Sequence, residues 1–174
     1  MPRLFHVSHD MFIERFEPRV PPLGGNPVVW AVDEEHLANY LLPRDCPRVT
    51  FYARPDSAPE DVERLMGPTF PKRVVAIESG WLWNAMLGEL YVYELPPDTF
   101  ECVDSGAGYY TSRAAVDYKN VQRLRHPLRE LVATGAELRV IPNLWPLRDA
   151  VLASTLQFSF IRMRNAASRE GADS

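Results

Sequence analysis

An α+β domain, with a mixed or mostly antiparallel sheet and flanking helices, is the fold class this sequence predicts. Short β-branched or alternating runs outnumber the helical stretches, which a strict βαβ alternation would not supply. Several connections between those runs are hairpin-short, as at Ser105-Gly106-Ala107-Gly108. Sixteen prolines against nine glycines also favour rigid, pre-set connections over flexible ones. With 174 residues, the chain is long enough for one core without a disulfide or metal staple. The reading is one domain over residues 1–165, followed by a small, polar, frayed tail at 166–174.

Leu4 to Ser8 alternates as an opening strand, with Leu4, His6 and Ser8 on one face and Phe5 and Val7 on the other. Asp10 suits the cap of a short helical turn, Met11 to Phe16. Pro18, Pro21, Pro22, Gly24, Gly25 and Pro27 then exclude helix and central strand, so this stretch is a surface loop. Val28 to Val32 reads as a buried strand, and Asp33 as the N-cap of a helix to about Leu42. A proline-bracketed turn at 43–47 leads to a strand from Arg48 to Ala53. Ser57 is placed as the cap of a helix that ends near Gly67.

Arg73 to Glu78 is a further strand, and Ser79 caps a short apolar helix containing Trp81, Trp83 and Met86. Leu90 to Leu95, Phe100 to Val103 and Tyr109 to Val116 extend the sheet. Leu124, Leu128, Leu131 and Val132 predict an amphipathic helix over 121–133, closed by Gly135. Glu137 to Ile141 is a late strand, and Pro146 opens a helix to about Asn165.

Composition narrows the function classes. Nineteen Lys and Arg against 23 Asp and Glu give a net charge of −4, so binding of nucleic acid through a basic patch is excluded. The apolar runs are too short for a membrane span or a signal-peptide core, which sets a cytoplasmic expectation. Cys46 and Cys102 are isolated, with neither zinc-ligand spacing nor a disulfide framework, so no metal is expected. No dinucleotide-binding glycine fingerprint, phosphate loop or nucleophile elbow is present.

The candidate chemistry lies at strand ends and rigid turns. His6 and Ser8 share a strand face and suit the hydroxyls of a ribose. Against this stands a half-buried histidine satisfied by a neighbouring carbonyl. Arg15, Arg19 and Arg44 offer guanidinium forks for phosphate or carboxylate, with surface ion pairing as the alternative. Glu101 follows the strand ending in Glu94 and suits a general base or the stabiliser of a developing positive charge. Tyr109 and Tyr110 suit stacking on a base or nicotinamide, with core packing as the alternative.

The strings LFHVSHD…IERFEPRVPP, VVWAVDEEHLANYLLPRDCPRVTFYA, LYVYELPPDTFECVDSGAGYYTS and LWPLRDAVLASTLQFSFIRMRNA, spread over residues 3–165, resemble a family of small bacterial proteins of unknown function. The order of elements is also similar to small ADP-ribosyltransferase-like domains. These elements are a strand with histidine, a Pro-Arg loop, a strand leading to an acidic cap, YVYELP and a hydroxyl-rich strand. That resemblance implies an NAD cofactor or substrate, with His6 on its ribose and a tyrosine, serine or threonine supporting the nicotinamide. It also implies a late glutamate beside the oxocarbenium-like centre. This chain departs from the pattern there, with Tyr109-Tyr110-Thr111-Ser112-Arg113-Ala114-Ala115-Val116 where related domains carry the acid.

Two readings follow. One is a nucleotide-binding or ADP-ribosyltransferase-like protein with weak or no turnover, using His6 and Glu101 as catalytic residues. Ser8, Arg15, Arg19, Arg44, Tyr109 and Tyr110 then bind the ligand. The other is a non-catalytic small-ligand or protein-binding module on the same scaffold.

Overall fold

A computed structural model describes residues 2–21 and 24–169 of the chain. Pro22 of the proline loop and residues 170–174 of the expected tail lie outside the described residues. The fold is α+β with mostly antiparallel strands, as the sequence predicts. Those strands form two sheets where the sequence reading has one. Alternation identifies strands but not their partners, and here two compact units each have their own sheet. The units are Met1–Leu41 with Glu89–Arg125, and Leu42–Gly88 with His126–Ser174.

The first unit contains strands β1 (Leu4–Ser8) and β2 (Val29–Asp33). Later in the chain it adds β5 (Leu90–Leu95), β6 (Glu101–Asp104), β7 (Tyr109–Ser112) and β8 (Asn120–Leu124). The second unit supplies β3 (Arg48–Tyr52) and β4 (Arg73–Glu78) between them. In the first sheet the order is β6-β7-β2-β1-β5-β8, and every pair is antiparallel. β1 is therefore central. Directly opposed residues share a face, and register puts Leu4, His6 and Ser8 against Leu95, Tyr93 and Tyr91. Leu4, Tyr91, Tyr93 and Leu95 join Phe16, Val29, Ala31 and Val116 in a buried cluster on that face.

Two of this unit's predicted helices are absent. Residues 11–16 form no helical turn; Asp10 Oδ1 accepts from the Phe12 amide 2.8 Å away, and Phe16 bridges Val116. The local side-chain bond competes with helix formation at this point. Only a 3₁₀ turn, Leu37–Tyr40, follows β2. Its N-cap residue is His36 rather than Asp33, whose Oδ1 accepts from the His36 amide at 2.9 Å in the preceding turn.

In the second unit the sheet order is β10-β3-β4-β9, with β9 Ala136–Ile141 and β10 Gln157–Ile161. β4 and β9 run parallel; the other pairs are antiparallel. The helices are α1 (Pro59–Met66), α2 (Leu82–Leu87), α3 (Pro127–Ala133) and α4 (Trp145–Leu152). Val49, Phe51, Leu65, Met66, Val74, Ala76, Leu144, Val151 and Leu156 form its core.

Three helix predictions change here. Ala58 is the cap residue of α1, while Ser57 Oγ accepts from the Arg54 amide at 2.9 Å. The predicted helix 121–133 is strand β8 followed by the shorter α3, because Pro127 belongs at a helix start. The predicted helix 146–165 ends at Leu152, and residues 157–161 pair with β3 instead. The segment after β10 is held as far as residue 169. Trp145 Nε1 donates to Ala167 O at 2.8 Å, and Asn143 Nδ2 to Ser168 O at 3.0 Å. The frayed tail therefore does not begin at 166. Both cysteines are free, Cys46 buried and Cys102 exposed. Among the described residues, no helix is long and apolar enough to cross a membrane.

Candidate ligand-binding site

A cavity of about 340 Å³ opens on the face of the first sheet opposite the buried cluster. Phe5, His6, Val7, Trp30, Ala31, Val32, Tyr40 and Tyr109 line it. Strand alternation builds the wall. Register sets Phe5 opposite Val32 and Val32 opposite Tyr109, so these three side chains share one face. Trp30 lies two residues before Val32 and so points the same way. The residue is 41% exposed, a large apolar side chain that the sheet leaves partly uncovered.

The rings meet at steep angles. Trp30 and Tyr109 are 5.8 Å apart between centroids at 85°, and Tyr40 and Tyr109 6.2 Å apart at 60°. The Tyr40 hydroxyl donates to the Tyr109 hydroxyl. Tyr40 ends the 3₁₀ turn Leu37–Tyr40, and a side-chain hydrogen bond anchors the residue that precedes it. His36 Nδ1 lies 2.7 Å from Asp33 Oδ1, with the His36 side chain only 3% exposed. Gly108, at φ +68°, fits directly over this pair, and its carbonyl accepts from the Asp33 amide at 3.0 Å. The glycine turn before Tyr109 thus meets the Asp33–His36 pair that precedes the turn ending in Tyr40.

The structure sorts the sequence-predicted residues between two sheet faces. His6 is turned to the buried side: its ring is 4.8 Å from Phe16, and Nδ1 is 2.9 Å from the Trp30 carbonyl. It borders the cavity through the strand rather than through its imidazole. Ser8 Oγ accepts from the Asp10 amide at 3.0 Å. Tyr110 is opposite Ala31 and Cys102, packs on the buried cluster, and is also on the His6 side. Burial, with Cys102 beside it, raises the Tyr110 hydroxyl above the ordinary phenol range. Tyr109 faces the cavity.

Glu101 is opposite Thr111, which in turn is opposite Trp30, so its carboxylate belongs to the cavity face although it is exposed. Arg15 is an exposed side chain 3.7 Å from Glu17 and 3.6 Å from Asp117. Arg19 is exposed in the proline loop, where its backbone bridges Val28. Arg44 is exposed in the 43–47 turn of the second unit. His6, Tyr109 and Glu101 therefore belong to one sheet, with Tyr109 and Glu101 on one face and His6 and Tyr110 on the other.

Sequence reasoning missed Trp30, Tyr40, Phe5 and the Asp33–His36 pair. A signal for the last existed: Asp33 and His36 are three residues apart, the spacing at which a cap and its side chain meet. Trp30 reads as a core residue from its apolar neighbours. Its exposure follows only from the pairing of β2.

Residues 5–166 match the model of a family of unknown function (DUF6886), and the chain belongs to that family. No curated protein and no solved structure matches it significantly.

Proposed function

We propose that this protein binds the planar ring of a nucleotide, the base or nicotinamide of an NAD-like dinucleotide or nucleoside phosphate, and turns it over slowly or not at all. One observation carries the reading: three aromatic rings, Trp30, Tyr40 and Tyr109, converge with Phe5 on one open cavity. Base-on-ring stacking contributes about 1–3 kcal/mol per base, enough to hold a small planar ligand. At about 340 Å³ the cavity is at the small end for ligand sites, room for a ring and part of its sugar. The element order similar to ADP-ribosyltransferase-like domains supports the same ligand class.

Slow turnover follows from the carboxylate inventory. Tyr109 and Tyr110 occupy the strand that carries a glutamate in those domains, and Glu101 lies across from Thr111 on the neighbouring edge strand. Removing a group that stabilises transition-state charge commonly costs about 10²–10³ in rate. Calorimetric titration with NAD, ADP-ribose and simple nucleotides tests the binding, and product analysis after prolonged incubation tests the turnover. Absence of heat with all of them at millimolar concentration would overturn the nucleotide reading.

A further inference from the structure

The aromatic cavity sits among carboxylates. One cross-strand row on its face runs Asn120, Glu94, Phe5, Val32, Tyr109, with Glu94 directly beside Phe5. The next runs Trp30, Thr111, Glu101 and ends on an acid. Arg3 is the cation beside Phe5, and two carboxylates bracket it, Glu34 at 2.6 Å and Glu94 at 3.0 Å. Lys119 also acts on Glu94, so the charges at this end of the wall balance. The Arg3 guanidinium carbon also stands 5.0 Å over the Phe5 ring, so one ring of this wall already accepts a cation on its face.

We infer that the cavity selects a positively charged planar ring, an N-alkylated heteroaromatic cation of the pyridinium type, over neutral and anionic rings of the same shape. This rests on the ring-binding reading above and adds the charge of the ligand to it. The negative faces of Trp30, Tyr40 and Tyr109 attract a delocalised cation, most strongly for indole. Glu101, exposed on the same sheet face, favours a cation over an anion at the mouth. An anionic ring loses on both counts, because it must leave water for an apolar wall fringed by like charge.

The test is a ligand-observed NMR titration of the full chain at low salt with 1-methylnicotinamide, nicotinamide and nicotinate, carrying charges of +1, 0 and −1 on one ring. NAD is titrated in parallel. The expected order is the cation about tenfold tighter than the neutral ring, the size of a partly desolvated cation–π contact, with nicotinate weakest. Trp30→Leu should collapse the difference between cation and neutral ring, and Trp30→Phe, which keeps a ring face, should retain most of it. Nicotinamide binding as tightly as its methylated cation, with NAD still bound, overturns the charge inference and leaves the ring-binding reading standing. Failure of all three rings and of NAD to bind overturns the ring-binding reading and this inference with it.

Discussion

A methyl group placed on Gly108 would stand 2.3 Å from His36 Nδ1 and 2.7 Å from Asp33 Oδ1, so the turn before β7 closes directly onto the buried Asp33–His36 pair. The contact links two stretches that are remote in sequence. It also bears on where Tyr40 and Tyr109 sit, because one tyrosine ends the 3₁₀ turn that follows His36 and the other follows Gly108.

Gly108→Ala should therefore destabilise the fold by about 2–6 kcal/mol. Overpacking a filled site costs about 1–3 kcal/mol, and a left-handed non-glycine adds about 1–3 kcal/mol. Urea unfolding measures the loss. An unchanged midpoint would mean that Gly108 is not tightly packed on His36.

The thiols should differ sharply in reactivity. Burial pushes Cys46 from the ordinary 9.0 up to about 11, while Cys102 is exposed on edge strand β6. Thiolate is the reactive form, so native protein at pH 8 should titrate one thiol rapidly with a disulfide reagent and the second only after denaturation. The same shift has a stability consequence. A thiol whose folded value is raised stabilises the fold below the unfolded value of 9.0, and that contribution is lost as pH rises toward about 11. Two thiols reacting at equal rates in the native state would refute the assignment.

Glu78 should anchor the end of the second unit. The residue is 4% exposed at the end of β4 and accepts from the Leu144 amide at 3.2 Å and the Ala167 amide at 3.0 Å. Glu78→Ala strands both donors, at about 2–3 kcal/mol in total. Hydrogen exchange should show the Ala167 amide losing protection, with Glu78→Gln intermediate because it keeps one acceptor oxygen. Equal protection in all three proteins would show that the tail is held without Glu78.

What the sequence revealed depended on whether a segment's pattern was complete within itself. β1 and β5 were legible because Leu4 to Ser8 and Leu90 to Leu95 carry their own periodicity. β8 was not: Asn-Val-Gln-Arg-Leu is an exposed edge strand whose only buried residue is Leu124. Nothing local in it demands a sheet, and Leu124, Leu128 and Leu131 imitate a helix repeat. β10 failed differently, since Phe158 and Phe160 fit either period until β3 pairs with them. The site was half legible. Tyr109 and Glu101 could be read as sheet residues near a turn, but the face each presents depends on register across β2, β7 and β6. That is non-local information.

The face assignment makes the last prediction. The ADP-ribosyltransferase-like resemblance puts His6 on the ribose, whereas here the His6 ring is turned to Phe16 and the Trp30 carbonyl, away from the cavity. If ligand occupies the aromatic face, His6→Ala should leave NAD affinity within about twofold, because the strand backbone that borders the cavity is unchanged. Tyr109→Leu should weaken binding about tenfold, since it removes a stacking face whose loss costs about 1–3 kcal/mol. Tyr109→Phe should lie between, because it keeps the ring and removes only the hydroxyl bonded to Tyr40. Fluorescence titration, with Trp30 as the reporter in the wall, measures all three, and urea midpoints check that each variant is folded. The opposite ranking, with His6→Ala abolishing binding and Tyr109→Leu neutral, would put the ligand on the other face of β1. The aromatic cavity would then have to be given up as the nucleotide site.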